Sequence, residues 1–173
     1  MWLSKKKKIG LIFLFSFGII LLAVILIYAG VNGQPKTPVT CQQVTTVLSN
    51  LGYVSSDTTS IYLENDSNLK KSVAIENEKI RFDFFEFDNQ DSAANLYSNA
   101  CNQMLDYRSS GNISNSEGYA NYYMHSLKSN GVYYITIRVE NTALYAYCDE
   151  EYISEMGRIL SGIGYTGDSK SSD

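Results

Sequence analysis

The 173-residue chain holds 14 basic and 18 acidic residues, one histidine and three cysteines, and four of the lysines, Lys5 to Lys8, stand together near its start. Beyond that cluster ten basic residues face eighteen acidic ones, a formal charge of −8 that opposes binding to nucleic acid or to anionic surfaces. A lone histidine and three scattered cysteines leave little material for a nucleophilic triad or a zinc site, so neither metal nor cofactor is expected.

Residues 1–8 form a basic stub and residues 9–31 an uncharged apolar run. A run of that length meets the roughly 20 residues needed to cross a bilayer and predicts a single-pass anchor. Lysines on its leading side predict a cytoplasmic N-terminus and an extracytoplasmic remainder. The alternative is a secretory signal peptide that is cleaved to release the domain. Signal peptides have apolar cores of about 7–15 residues and an A-x-A-like site, which Ile27-Tyr28-Ala29 matches poorly. The start also resembles a type IV pilin in its basic residues, Gly10 and apolar helix, although Phe15 stands where pilins carry glutamate.

Gly33, Pro35 and Pro38 mark residues 32–39 as a linker, and residues 40–166 read as one domain ending in a polar tail over 167–173. Thr40 to Gln43 has the spacing of a capping box. Cys41, Val44, Val47, Leu48 and Leu51 then fall on one helical face, with Gly52 as the stop. Short strands are expected at Ile61–Glu64 and Ser72–Glu76, joined through Glu76-Asn77-Glu78 to a longer one at Lys79–Phe87. Alternation in that strand slips at Phe84-Phe85, which predicts a bulge.

Asp88 or Asn89 caps a second helix, whose apolar stripe runs through Ala93, Leu96, Tyr97, Ala100, Cys101, Met104 and Leu105. Ser, Asn and Gly make Arg108–Gly118 a loop. A meander follows: Tyr119–Leu127, Val132–Val139 and Thr142–Cys148, turning at Asn130-Gly131 and Glu140-Asn141. Asp149 is expected to cap a last helix with Ile153, Met156, Ile159, Leu160 and Ile163 inside. Val47–Tyr53 and Ile159–Tyr165 echo one another, either as two helices with the same ending or as a structural half-repeat.

The order α-β-β-α-β-β-β-α predicts an α+β domain: an antiparallel sheet of four to six strands with helices on one face. Elements alternating in direction bring Cys41 and Cys101 to one end, so they are the expected disulfide, with Cys148 free. His125 sits in an alternating strand, where a satisfied histidine is the ordinary case. Asp83 and Glu86 flank the expected bulge and so point to opposite faces, unlike a glycosidase pair.

With no catalytic set in view, the chain reads as a non-enzymatic binding module for a protein or small ligand outside the cell. The candidate surface is the outer face of the meander: Tyr123, Tyr134, Arg138, Tyr145 and Tyr147, since Tyr and Arg are favoured at interface hot spots. Two alternatives are an accessory or immunity-type protein that meets a cationic partner through its acidic charge, and an extracytoplasmic hydrolase.

Overall fold

The computed structural model describes residues 35–64, 66–109 and 112–166. In chain order they form α1 (Cys41–Asn50), β1 (Ser56–Asp57), α2 (Thr59–Tyr62), β2 (Leu69–Glu76), β3 (Ile80–Phe87), α3 (Gln90–Asp106), β4 (Ile113–Tyr119), β5 (Tyr122–Ser129), β6 (Val132–Val139), β7 (Thr142–Asp149) and α4 (Ile153–Gly162). All seven strands join one antiparallel sheet in the order β1-β2-β3-β7-β6-β5-β4.

Local sequence accounts for most element ends. Thr40 Oγ1 accepts from the Gln43 amide at 3.3 Å, and the Gln43 side chain accepts from the Thr40 amide at 2.8 Å, completing the capping box. Asn89, not Asp88, caps α3 by accepting from Ser92 N at 2.9 Å. Asn77 closes the β2–β3 turn by accepting from the amides of Lys79 and Ile80. Asn130 and Gly131 take φ of 53° and 82°, the left-handed pair that a tight hairpin requires. Asp149 makes no side-chain capping bond; a 3-10 turn over Glu150–Tyr152 intervenes before α4.

The echoed heptads are two helix ends of the same kind. Gly52 and Gly164 take φ of +87° and +77°, and the amides of Tyr53 and Tyr165 reach back 2.9 Å to the carbonyls of Leu48 and Leu160. The two helices share a face of the sheet and touch closely: a Cβ on Gly162 would stand 2.8 Å from Val47 Cγ1.

Helices lie on both faces of the sheet, which corrects the expected one-sided packing. Strand β3 explains why. Phe82 and Phe84 point into the core with α1 and α4, among Val44, Leu48, Leu144, Ile159 and Leu160. Phe85 and Phe87 point the other way, into a second cluster with Leu69, Ala93 and Ala143 beneath α3. A strand buried on both faces loses its polar-apolar alternation. That is the source of the slip at Phe84-Phe85, where no bulge exists: β3 pairs with β7 without a break from Ile80–Cys148 to Glu86–Thr142. The one irregularity in the β2–β3 ladder falls in β2, between Leu69 and Lys71.

The strand count is also corrected, to seven from four to six. Part of the expected loop Arg108–Gly118 is strand β4, which is exposed on both faces and so carries no burial pattern. The expected strand at Ile61–Glu64 is instead the end of α2 and the turn after it, and β1 lies earlier, at Ser56–Asp57. The expected membrane anchor is not supported. No helix among the described residues is long and apolar enough to cross a membrane, and residues 9–31 lie outside them. The longest, α3, has 17 residues and a largely polar surface, short of the roughly 20 apolar residues a bilayer requires. Of the expected linker, residues 35–39 hold to the domain: Lys36 exchanges backbone bonds with the Asn121 side chain at 2.9 and 2.7 Å, and Val39 N donates to Tyr165 Oη at 3.3 Å.

Replacing Gly162 by alanine should force α1 and α4 apart, because Val47 is β-branched and cannot easily swing away. We expect a loss of about 1–3 kcal/mol in urea unfolding, the usual cost of overpacking. An unchanged midpoint would show that the contact yields.

Candidate functional site

The five expected binding residues do share a face, opposite the α1–α4 core. That face is largely the bed of α3. Tyr97 of α3 packs on Tyr123 with ring centroids 6.2 Å apart, and Tyr107, which closes the helix, stacks on Tyr134 at 4.8 Å. Arg138 lies 5.0 Å over the Tyr123 ring. Tyr147 touches both Tyr134 and Tyr145. Only Tyr123 and Tyr147 remain more than a third exposed, at 38% and 39%. These aromatics seat a helix, and of the five it is Tyr123 and Tyr147 that keep an open side.

The expected Cys41–Cys101 disulfide is also corrected. All three cysteines are free, and the sheet separates the pair: Cys41 opens α1 on one face, while Cys101 belongs to α3 on the other. Burial pushes the Cys41 thiol up to about 12, helped by the Glu86 carboxylate, and the Cys148 thiol up to about 11. Burial raises Cys101 as well. Thiols shifted this way are poor nucleophiles.

His125 bonds through Nδ1 to Ser116 Oγ across the β4–β5 pair at 2.7 Å, and burial lowers its pKa. This satisfies a nearly buried ring on an edge pair; it supplies no third group to orient a catalytic base. Asp83 and Glu86 do point to opposite faces, because residues three apart on a regular strand must. Asp83 is held by Arg81, with Nε–Oδ2 at 2.7 Å and Nη2–Oδ1 at 3.1 Å. Glu86, on the α1 side, accepts from Lys70 Nζ at 2.7 Å and from the Cys41 amide at 3.0 Å. Burial alone would raise the Glu86 carboxyl, but these two bonds together with the Lys70 and Lys71 charges outweigh it and hold it below the usual range. Among the described residues no group of side chains is arranged to hold a metal ion.

One open feature is a cleft between α2 and α3, on the face of the sheet opposite α1. One part has a volume of about 380 Å³ and is lined by Tyr62, Asp66, Leu69, Phe85, Phe87, Ser92, Asn95, Leu96 and Asn99. It continues into a second part of about 410 Å³, reaching Asp83, Ala100, Gln103 and Tyr145 and sharing Tyr62, Phe85, Leu96 and Asn99 with the first. Its α2 wall is built locally. The Asp57 carboxylate accepts from the Thr59 amide at 3.0 Å, an Asx turn, and Ser72 N donates to Thr59 Oγ1 at 2.9 Å, pinning α2 to β2. Tyr62 then lies edge-on to Phe85, centroids 5.0 Å apart, with its hydroxyl 3.4 Å from both Asp83 and Arg81.

The α3 wall carries Asn95, Asn99 and Gln103, three residues four positions apart and thus on one stripe of the helix. The hydrogen bonds among the described residues leave their amides free. Beside them Leu96 and Ala100 face the aromatic floor. The two carboxylates that line it are engaged: Asp83 with Arg81, and Asp66 with the Asn68 amide, a bond that lowers its pKa. The cleft therefore offers amides over aromatic rings and no unpaired cation. The Asn95-Asn99-Gln103 spacing was visible in the sequence, but only the apolar stripe next to it pointed to a role, and that role was packing.

No family model and no curated protein matches the chain. The crystal structure of a GTP binding regulator from Thermotoga maritima is similar at a TM-score of 0.41 and 15% identity, over 75% of this chain and 88% of that one. A likeness that slight carries no inference about ligand or activity.

Two outcomes follow from the cysteines and from Glu86. Iodoacetamide should label native Cys101 ahead of Cys41 and Cys148, and the unreduced, urea-unfolded protein should take three labels by intact mass; a single label would restore the disulfide. For Glu86, a carboxyl lowered in the fold adds stability above its unfolded value near pH 4.3. That stability is lost as pH falls through the folded value. Glu86→Gln should therefore cost about 1–2 kcal/mol at neutral pH and progressively less in acid. Parallel urea curves at both pH values, with an equal deficit in each, would reject this assignment.

Proposed function

We propose that the domain is a non-enzymatic binding module whose α2–α3 cleft holds an extended, uncharged peptide segment. The observation that carries this reading is the free Asn95-Asn99-Gln103 stripe standing over the Phe85 and Tyr62 rings. Four residues advance a helix by about 6 Å. An extended chain repeats, with its peptide groups on the same side, every two residues or about 6.6 Å. Successive amides on α3 are thus spaced to meet successive peptide groups along one edge of an extended segment. Each carboxamide offers a donor and an acceptor, which a peptide group answers. The floor takes the alternate, inward side chains of such a segment, and its apolar lining with few polar groups is the usual make-up of a ligand site.

Charge separates this reading from a cationic partner. A neutral segment bonded to amides binds with little dependence on salt, whereas a partner drawn by the net charge of −8 weakens steeply as salt screens it.

Peptides displayed without charged residues should enrich on the protein, and enriched sequences should alternate apolar with small or polar positions. Asn99→Ala should weaken them about fivefold, the worth of one hydrogen bond near 1 kcal/mol, and the Asn95→Ala, Asn99→Ala, Gln103→Ala triple should weaken them further. The melting temperature should stay unchanged, since none of the three side chains is buried. Enriched peptides that bind the triple variant as tightly, or binding that collapses between about 50 and 300 mM salt, the range over which screening tightens, would overturn the proposal.

A further inference from the structure

The two ends of the sheet are protected very differently. On one side the edge strand is β1, two residues long and bearing Asp57. On the other it is β4, seven residues paired with β5 in an unbroken register from Ile113–Lys128 to Tyr119–Tyr122. Proteins commonly blunt an edge of this length with lysine, proline or a bulge. Strand β4 has none of these: its sequence is Ile-Ser-Asn-Ser-Glu-Gly-Tyr, with Glu117 as the single charge. It is exposed along both faces, and Ile113 is 68% exposed.

The turns define which backbone groups face outward. Tyr119 and Tyr122 flank the two-residue turn Ala120-Asn121, so they form the first hydrogen-bonded pair of their hairpin. The Asn130-Gly131 hairpin on the other side of β5 imposes the same phase. Ile113, Asn115, Glu117 and Tyr119 therefore direct their backbone groups toward β5, and Ser114, Ser116 and Gly118 direct theirs to the free edge.

We propose that β4 pairs antiparallel with β4 of a second copy of this chain, about a two-fold axis at Ser116. That register uses every outward group: Ser116 pairs with Ser116 and Ser114 with Gly118, giving about six backbone hydrogen bonds by the regular antiparallel pattern. The side chains of the same register complement one another. The exposed Ile113 lies against the Tyr119 of the other copy, covering apolar surface on both. Glu117 lies against Asn115, a carboxylate beside an amide donor; within one chain Asn115 Nδ2 already reaches Glu117 Oε1 at 3.4 Å. Shifting the axis to Glu117 would set two carboxylates face to face, and shifting it to Asn115 would leave Gly118 without a partner. The strand is self-complementary in one register only. The α2–α3 cleft lies over β2, β3 and β7, away from this edge, so the pairing is independent of what the cleft binds.

The test is cross-linking of the full chain in the cells that express it. Asn115 and Glu117 of different copies would form a non-hydrogen-bonded pair with Cα atoms about 4.5 Å apart. That distance is within disulfide reach. Cells making Asn115→Cys and Glu117→Cys chains together should give a disulfide dimer under mild oxidation. Either variant alone, and the unmodified chain with its three cysteines, should give about tenfold less or none. Two further variants report on the interface in the purified full chain by sedimentation. Ser116→Pro removes an outward amide and spares every β4–β5 backbone bond, losing only the side-chain contact to His125 that Ser116→Ala, which should stay dimeric, also loses; Asn115→Glu sets like charges opposite Glu117. Both should shift the protein to monomer while thermal unfolding shows the fold intact. A monomer at all concentrations with no mixed cross-link, a dimer indifferent to both variants, or capture of the Asn115→Cys chain by another protein would each overturn the proposal.

Discussion

Four phenylalanines on one strand, Phe82, Phe84, Phe85 and Phe87, are withdrawn from water on both sides of the sheet. Burying a side chain of this size contributes about 1.5–3 kcal/mol, so β3 must be covered twice. The rest of the architecture answers that requirement. Strands β2 and β7 pair with its two edges, α1 and α4 close over Phe82 and Phe84, and α3 closes over Phe85 and Phe87. A one-sided α+β sheet would have left half of these rings wet.

Polar side chains rising from the sheet tie the helices to it. Glu86 meets the first amide of α1, where a helix N-terminus favours negative charge. Asp83, held by Arg81, receives the Tyr62 hydroxyl at the end of α2. Thr142 meets the hydroxyl of Tyr165, just past α4, at 2.5 Å, and Tyr165 itself is fully buried. Each is a buried polar group with its partner in place, so each adds direction to packing that hydrophobic contact alone leaves free to slide. The two carboxylates that look like catalytic candidates in the sequence are structural in this sense.

Helix coverage is uneven, and the openings are where binding is proposed. One long helix on the α3 face spans β3, β7 and β6, and the short α2 stands apart from it over β2. The gap between them is the cleft. At the far edge β4 extends past the helical cover on both faces. Both openings follow from fitting one 17-residue helix to a sheet seven strands wide.

Sequence alone determined the features that depend on neighbours in the chain. The capping box at Thr40, the turns at Asn77 and Asn130-Gly131, the meander and the glycine endings at Gly52 and Gly164 need only a few consecutive residues to specify them. Tertiary structure decided everything that depends on which faces are covered. The phase slip at Phe84-Phe85 is ambiguous between a bulge and double burial until α3 is seen to cross the second face. Strand β4 has no apolar alternation because nothing covers it, and only pairing with β5 makes it a strand. The tyrosines of the meander resemble a binding surface as composition, yet they become a helix seat once Tyr97 and Tyr107 lie on them. Cys41 and Cys101 are separated by the sheet itself. The Asn95-Asn99-Gln103 stripe has meaning only because α2 stops short of α3, a distance that no local pattern encodes.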